Sequence, residues 1–244
     1  MNDIATAIHP REVASVISWW REMGVDTVVD DFASPWLGRT SAPAQAKNRA
    51  VKPSDAPRAA SSLPATLSAF TEWLMTSPDV PGAGPATRRI APSGDAASGV
   101  MVLIDMPEAG DADHLLSGEA GMLFDRMLAA IGRDRNSIYL ASVAVDRPPS
   151  GMIDDAALPR LSEIARHHVA LAAPKQLWLL GGAPSRALIA MSEIEGAGRL
   201  HEINHAAGTT SVIASLHPRN LLQSPRRKAA VWADMQNLFE EVPA

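Results

Sequence analysis

Hydrophobic positions along the chain change their spacing several times, and each change marks an element. Val100–Ile104, Ile138–Val145, Gln176–Leu180 and Ser211–Leu216 are short apolar or β-branched runs, the pattern of strands covered on both faces. Between and after them, apolar residues recur at helical spacing near 119–131, 155–172, 184–192 and 226–241. Repeated β-then-α order predicts an α/β fold of three layers, α/β/α, around a four-stranded, mostly parallel sheet. Such sheets bind ligands at the C-terminal ends of their strands. Here those ends are Asp105, the loop after Val145, Gly181-Gly182 and His217, and the four are predicted to converge.

The first third of the chain reads differently. Pro10 followed by Val13, Val16, Ile17 and Trp20 predicts a short amphipathic helix that stops at Gly24. Trp19, Trp20, Phe32 and Trp36 form an aromatic cluster suited to core packing or to a partner. From Gly38 to Ser62 the chain turns to Ala, Pro, Ser and basic residues, too poor in apolar surface to order itself. Leu63, Leu67, Phe70 and Leu74 resume helical spacing before a Pro/Gly-rich stretch. The expected organisation is a helical segment over 1–37, a flexible basic linker over 38–62, a helix with its connecting loop over 63–98, and the main domain over 99–244.

Composition narrows the chemistry. An apolar fraction of 46% in 244 residues can build a proper core. A net charge of -5 requires any nucleic-acid contact to come from a local cationic patch. With no cysteine, disulfides, thiolate metal sites and cysteine-ligated iron–sulfur clusters are excluded. No apolar run approaches a membrane span, and a soluble cytoplasmic protein is expected.

The local patch lies at the end of the last strand. Pro218 disfavours helical backbone at His217, which places the imidazole at a strand's C-terminal end. Ser224 then has the character of an N-cap and Pro225 that of a first helical residue. Between Leu216 and Ala233 the charged residues are Arg219, Arg226, Arg227 and Lys228, a terminus that favours phosphate. Asp105 points a carboxylate into the same crevice or stabilises its own loop, and Arg147, before Pro148-Pro149, holds a loop against a ligand or turns the chain. His167 and His168 fall mid-helix, one at the surface and one at the edge of the core. His201-Glu-Ile-Asn-His205 matches a zinc-protease pattern, which needs one long helix. Flanking glycines leave too little room, so a hairpin strand running into Ser211–Leu216 is expected instead, and no metal site.

The order of these signals resembles the bacterial family 4 uracil-DNA glycosylases. The resemblance covers about residues 100–240: Leu116 to Tyr139, then Tyr139-Leu-Ala-Ser142 with Asp146-Arg147-Pro148-Pro149, then Pro174 to Gly182. Its most specific part is Ser215-Leu-His217-Pro218-Arg-Asn-Leu221-Leu222 with Pro225, Lys228 and Trp232. It implies a DNA repair enzyme that flips a damaged base into a strand-end pocket and hydrolyses its bond to the sugar. By resemblance His217 stabilises the departing base, and Asp105 or Glu108 aligns water. Leu116 and Ser142 stand at the base-binding positions. Leu221 or Leu222 fills the gap in the duplex, and Arg219, Asn220, Arg226, Arg227, Lys228 and Arg147 contact DNA.

The sequence departs from that family in four places. Asp146 and Leu161 occupy two cluster-cysteine positions, so no iron–sulfur cluster and no other cofactor is expected. The first motif, normally Gly-Glu-Ala-Pro-Gly, reads Asp105-Met-Pro-Glu-Ala-Gly110. Leu116 replaces a stacking phenylalanine and Ser142 a base-reading asparagine. A second reading therefore stands beside the enzyme: a catalytically degenerate relative that binds DNA, or a repair protein through its N-terminal segment. The enzyme reading requires the His217 ring to be presented at the crevice rather than packed inside.

Overall fold

The computed structural model describes residues 63–189, 198–205 and 208–239. The chain divides into two units, Met1–Arg58 and Ala59–Ala244, and every described residue belongs to the second. The expected N-terminal helix, its aromatic cluster and the basic linker lie outside the described residues.

Among the described residues, six strands form one sheet: β1 (Ser93–Gly94), β2 (Val100–Ile104), β3 (Tyr139–Ser142), β4 (Gln176–Leu180), β5 (Leu200–His205) and β6 (Gly208–Ser215). Their spatial order is β1-β3-β2-β4-β6-β5. The middle four strands are mutually parallel, as the apolar runs predict, while β1 and β5 pair antiparallel at the two edges. From β2 the chain steps to β3 on one side and then returns to β4 on the other. The ends of β2 and β4 thus flank a topological switch point, where a crevice opens.

The described residues also form six α-helices: α1 (Leu67–Thr76), α2 (Glu119–Ala130), α3 (Leu158–Ala172), α4 (Gly182–Leu188), α5 (Pro218–Gln223) and α6 (Lys228–Phe239). Alternation along β2 divides the core. Val100, Val102 and Ile104 face Phe124 and Leu128 of α2, Leu221 of α5 and Val231 and Met235 of α6. Met101 and Leu103 face Leu161, Ala165 and Val169 of α3 and Ala187 of α4. Three layers result. Residues 63–98 join the same body, because Phe70, Leu74 and Val80 pack with Val145 and Ile164.

Three elements depart from the expected pattern. The second strand stops at Ser142 rather than Val145. The segment after His217 forms a six-residue helix, α5, ahead of the helix expected from Pro225, with Pro218 at its first turn. Ser224 closes α5 and caps nothing with its side chain; a 3-10 turn over Pro225–Arg227 leads into α6. Residues 201–205 form the expected hairpin strand, β5. At about 3.3 Å of rise per residue, His201 and His205 stand about 13 Å apart, too far to share one ion. Among the described residues no cluster of side chains fit for a metal occurs, and no helix is long and apolar enough to cross a membrane.

Candidate active site at the strand ends

The C-terminal ends of β2, β4 and β6 meet at Asp105, Gly181 and His217. Gly181 supplies the backbone turn at this junction, with room for a Cβ but a dihedral angle that favours glycine. Its φ of 112° is a conformation that side chains rarely adopt, and a Cβ there would lie 3.6 Å from the Asp105 carboxylate and 3.8 Å from the His217 side chain. Its amide donates to the Ser215 carbonyl, which binds the turn after β4 to the end of β6. The loop after β3 joins them through Arg147, whose guanidinium donates to the Pro107 carbonyl at 3.0 Å. The four predicted strand ends converge in this way.

His217 is the N-cap of α5. Its backbone is extended, as the following proline requires, and its Nδ1 accepts the Arg219 amide at 3.2 Å. An Nδ1 that accepts a hydrogen bond leaves the proton on Nε2. That Nε2 is buried and has no hydrogen-bond partner among the described residues. Burial holds the imidazole pKa down at about 4. The Asp105 carboxylate opposes this shift, the Arg219 guanidinium reinforces it, and Asp111 and Arg147 add smaller opposing effects. The ring is therefore neutral near pH 7. Its approaches to Asp105 Oδ1 (3.8 Å) and Glu108 Oε1 (3.5 Å) exceed hydrogen-bond length and are not ion pairs.

Arg219 completes the cluster. Its guanidinium bridges both acids, with Nη1 donating to Glu108 Oε1 at 2.9 Å and Nη2 to Asp105 Oδ2. Here two expectations need correction. Arg219 does not stand in the cationic rim as a free phosphate ligand; two carboxylates attract it into the crevice. The His217 side chain, required at an open crevice, has 0% exposure. It lies at the strand ends, among the acids expected beside it, but covered, so the enzyme reading requires the crevice to open before a base can meet Nε2.

The first-motif loop hangs on a residue that sequence reasoning missed. Asp111 accepts the amides of Glu108, Leu116 and Ser117 and the Ser117 hydroxyl, at 2.7–2.9 Å. Burial raises its pKa, but these hydrogen bonds outweigh burial and leave it lowered. Arg135 fastens the other end by donating to the carbonyls of Leu115 and Leu116. Gly121 lets that end approach α2, because a Cβ there would sit 1.7 Å from the Leu116 carbonyl oxygen. An Asp flanked by Gly110 and Ser117-Gly118 is the available signal for such an amide-binding side chain.

The remaining predicted residues divide. Ser142 ends β3 beside Ile104 and is buried next to the crevice. Leu116 is fully enclosed with Leu115, Phe124 and Trp178, so in this state it is core rather than a base-stacking surface. Leu221 is likewise core, because α5 turns it toward Val231 and Met235, whereas Leu222 on the next face is 42% exposed. Asn220 closes the first turn of α5 through its amide to the His217 carbonyl. Arg226, Arg227 and Lys228 are exposed at the head of α6. A cleft of about 570 Å³ opens beside the cluster, between Pro107, Glu108 and Asp111 of one loop and Asp146, Arg147 and Pro149 of the other.

Fold and site together define an α/β/α protein whose switch-point crevice holds an unsatisfied imidazole between two acids. The family model described as the uracil DNA glycosylase superfamily matches residues 91–236, and the chain belongs to that superfamily. No curated protein matches the chain.

Proposed function

We propose that the protein removes uracil, or a related damaged base, from DNA by hydrolysing the bond between base and sugar. The carrying observation is the Nε2 of His217: a buried donor without an acceptor, on a ring whose other nitrogen is already occupied. An unmet buried donor costs about 1–3 kcal/mol, a cost that an anionic carbonyl oxygen on the departing base would offset. As the sugar–base bond breaks, its electron pair leaves with the base, and Nε2–H stabilises the resulting negative charge. Water adds to the sugar carbon and gives its proton to Asp105 or Glu108, the acids facing the ring. The acid-lined cleft repels phosphate and admits a neutral base, while Arg226, Arg227 and Lys228 hold the backbone outside. Leu222, exposed where Leu221 is not, is the residue placed to fill the vacated stack.

Single-turnover assays on uracil-containing single-stranded and duplex DNA test this reading. Wild type is expected to yield abasic product, and His217→Ala to lose about 100- to 1000-fold in rate. Salt-sensitive DNA binding without abasic product from wild type would instead identify a binding module, a reading favoured by the Arg219 bridge across the crevice and by Leu116 in the core.

A further inference from the structure

Arg219 ties together the two acids that flank His217. Its backbone amide is tied to His217 Nδ1, and its side chain folds back to join Asp105 and Glu108, the acids nearest the two ring nitrogens. The acids are 9% and 19% exposed, and the arginine side chain, at 30%, is the most exposed member of the cluster. Gly181, Asp105 and His217 are fixed by strand ends and backbone hydrogen bonds. Arg219 is the long side chain in the group that can move without unfolding anything.

A guanidinium matches a phosphate as well as it matches a carboxylate, through the same fork of donors. Beside Arg219, from Leu216 to Ala233, the chain carries Arg226, Arg227 and Lys228 and no acid, so a phosphodiester backbone drawn to α6 comes within reach of the arginine. We propose that Arg219 is a latch on the crevice: paired with Asp105 and Glu108 it keeps His217 covered, and a backbone phosphate draws the guanidinium away and uncovers the ring. The base that then enters rests on the base-excision reading above; the latch itself does not.

Carbethoxylation of His217 by diethyl pyrocarbonate, followed by peptide mass spectrometry on the full chain, tests the latch without any glycosylase readout. Exposed His114 serves as the internal reference. Wild-type His217 is expected to react slowly. Arg219→Gln, which removes the charge from both hydrogen bonds to the acids, should speed its labelling about tenfold or more. Arg219→Lys, which keeps the charge without the fork, should fall between them, and Arg166→Gln, exposed on α3 away from the site, should match wild type. Millimolar pyrophosphate, too small to shield the ring as DNA would, should speed labelling in wild type but not in Arg219→Gln. Equal labelling of wild type and of both Arg219 variants, with native melting curves, overturns the latch. Faster labelling in the variants with no pyrophosphate effect on wild type overturns its release by phosphate. Labelling as expected without abasic product would remove the glycosylase reading and leave the latch standing, whereas product with unchanged labelling would do the reverse.

Discussion

His168 and His217 are both buried histidines with depressed pKa values, and they belong to regions of opposite character. His168, in α3, has a pKa of about 3, set by burial and then by neighbouring His167. Its Nε2 meets the Tyr139 hydroxyl at 2.9 Å, and its ring lies against Phe70 and Tyr139. His217 is as well buried, but its Nε2 has no partner and its neighbours are two carboxylates and a guanidinium. Burial and a shifted pKa therefore do not distinguish a site from a core. The unmet donor among charges does.

The sharpest break of this comparison is a pair of substitutions. His217→Asn, which can still cap α5, should cost about 3–4 kcal/mol in the activation barrier, read as abasic-product rate, with little change in melting temperature. His168→Phe should do the opposite: it removes one of the two partners of the Tyr139 hydroxyl, leaving Thr71, and lowers unfolding free energy by about 0.5–1.5 kcal/mol in urea titrations, while rate per folded molecule is kept. Equal effects of both variants on stability would erase the distinction.

Acid should expose what the two histidines share. Both have folded-state pKa values, about 3 and about 4, below the ordinary 6.5, so the unfolded chain binds more protons between those values. Their contribution is fully present above pH 6.5 and is lost as pH falls toward 4 and then 3. Within that window each contributes about 1.4 kcal/mol per pH unit to the slope of stability against pH. His168→Phe should remove one such share, measured as unfolding free energy at successive pH values between 6 and 5. An unchanged slope would show that burial of His168 is lost in solution.

Smaller effects sharpen the site's boundary. Asp111→Ala removes the acceptor of three amides and should destabilise the loop by about 1–2 kcal/mol, visible as faster amide exchange at Leu116 and Ser117. Leu222→Ala should lower activity on duplex DNA by several-fold, about 1 kcal/mol, and leave single-stranded DNA nearly unaffected, since only a duplex has a stack to fill. An equal loss on both substrates would assign Leu222 to packing.

The parallel strands, their helices and the meeting of Asp105, Gly181 and His217 were legible because periodicity and a proline after histidine report directly on backbone. What was illegible has a common cause. α5 has six residues, too few for a hydrophobic period to show, so the inward turn of Leu221 and outward turn of Leu222 could not be separated. Leu116 looks like any loop leucine until Arg135 and Gly121 draw its backbone against α2. Arg219 pairs with acids 111 and 114 residues away, and nothing local tells a long cationic side chain whether to face solvent or fold back. The two-residue β1 carries no alternation at all.

Asp111 has a consequence for how this protein can change. It grips main-chain amides at Glu108, Leu116 and Ser117, groups that every amino acid but proline supplies. The path of the loop is thus set through its main chain, although Leu116 is also held by the core, Glu108 by Arg219 and Ser117 by its hydroxyl. The exposed neighbours Ala112 and Asp113, which border the cleft and bind none of these amides, are the letters that a lineage or a designer can exchange without moving the wall.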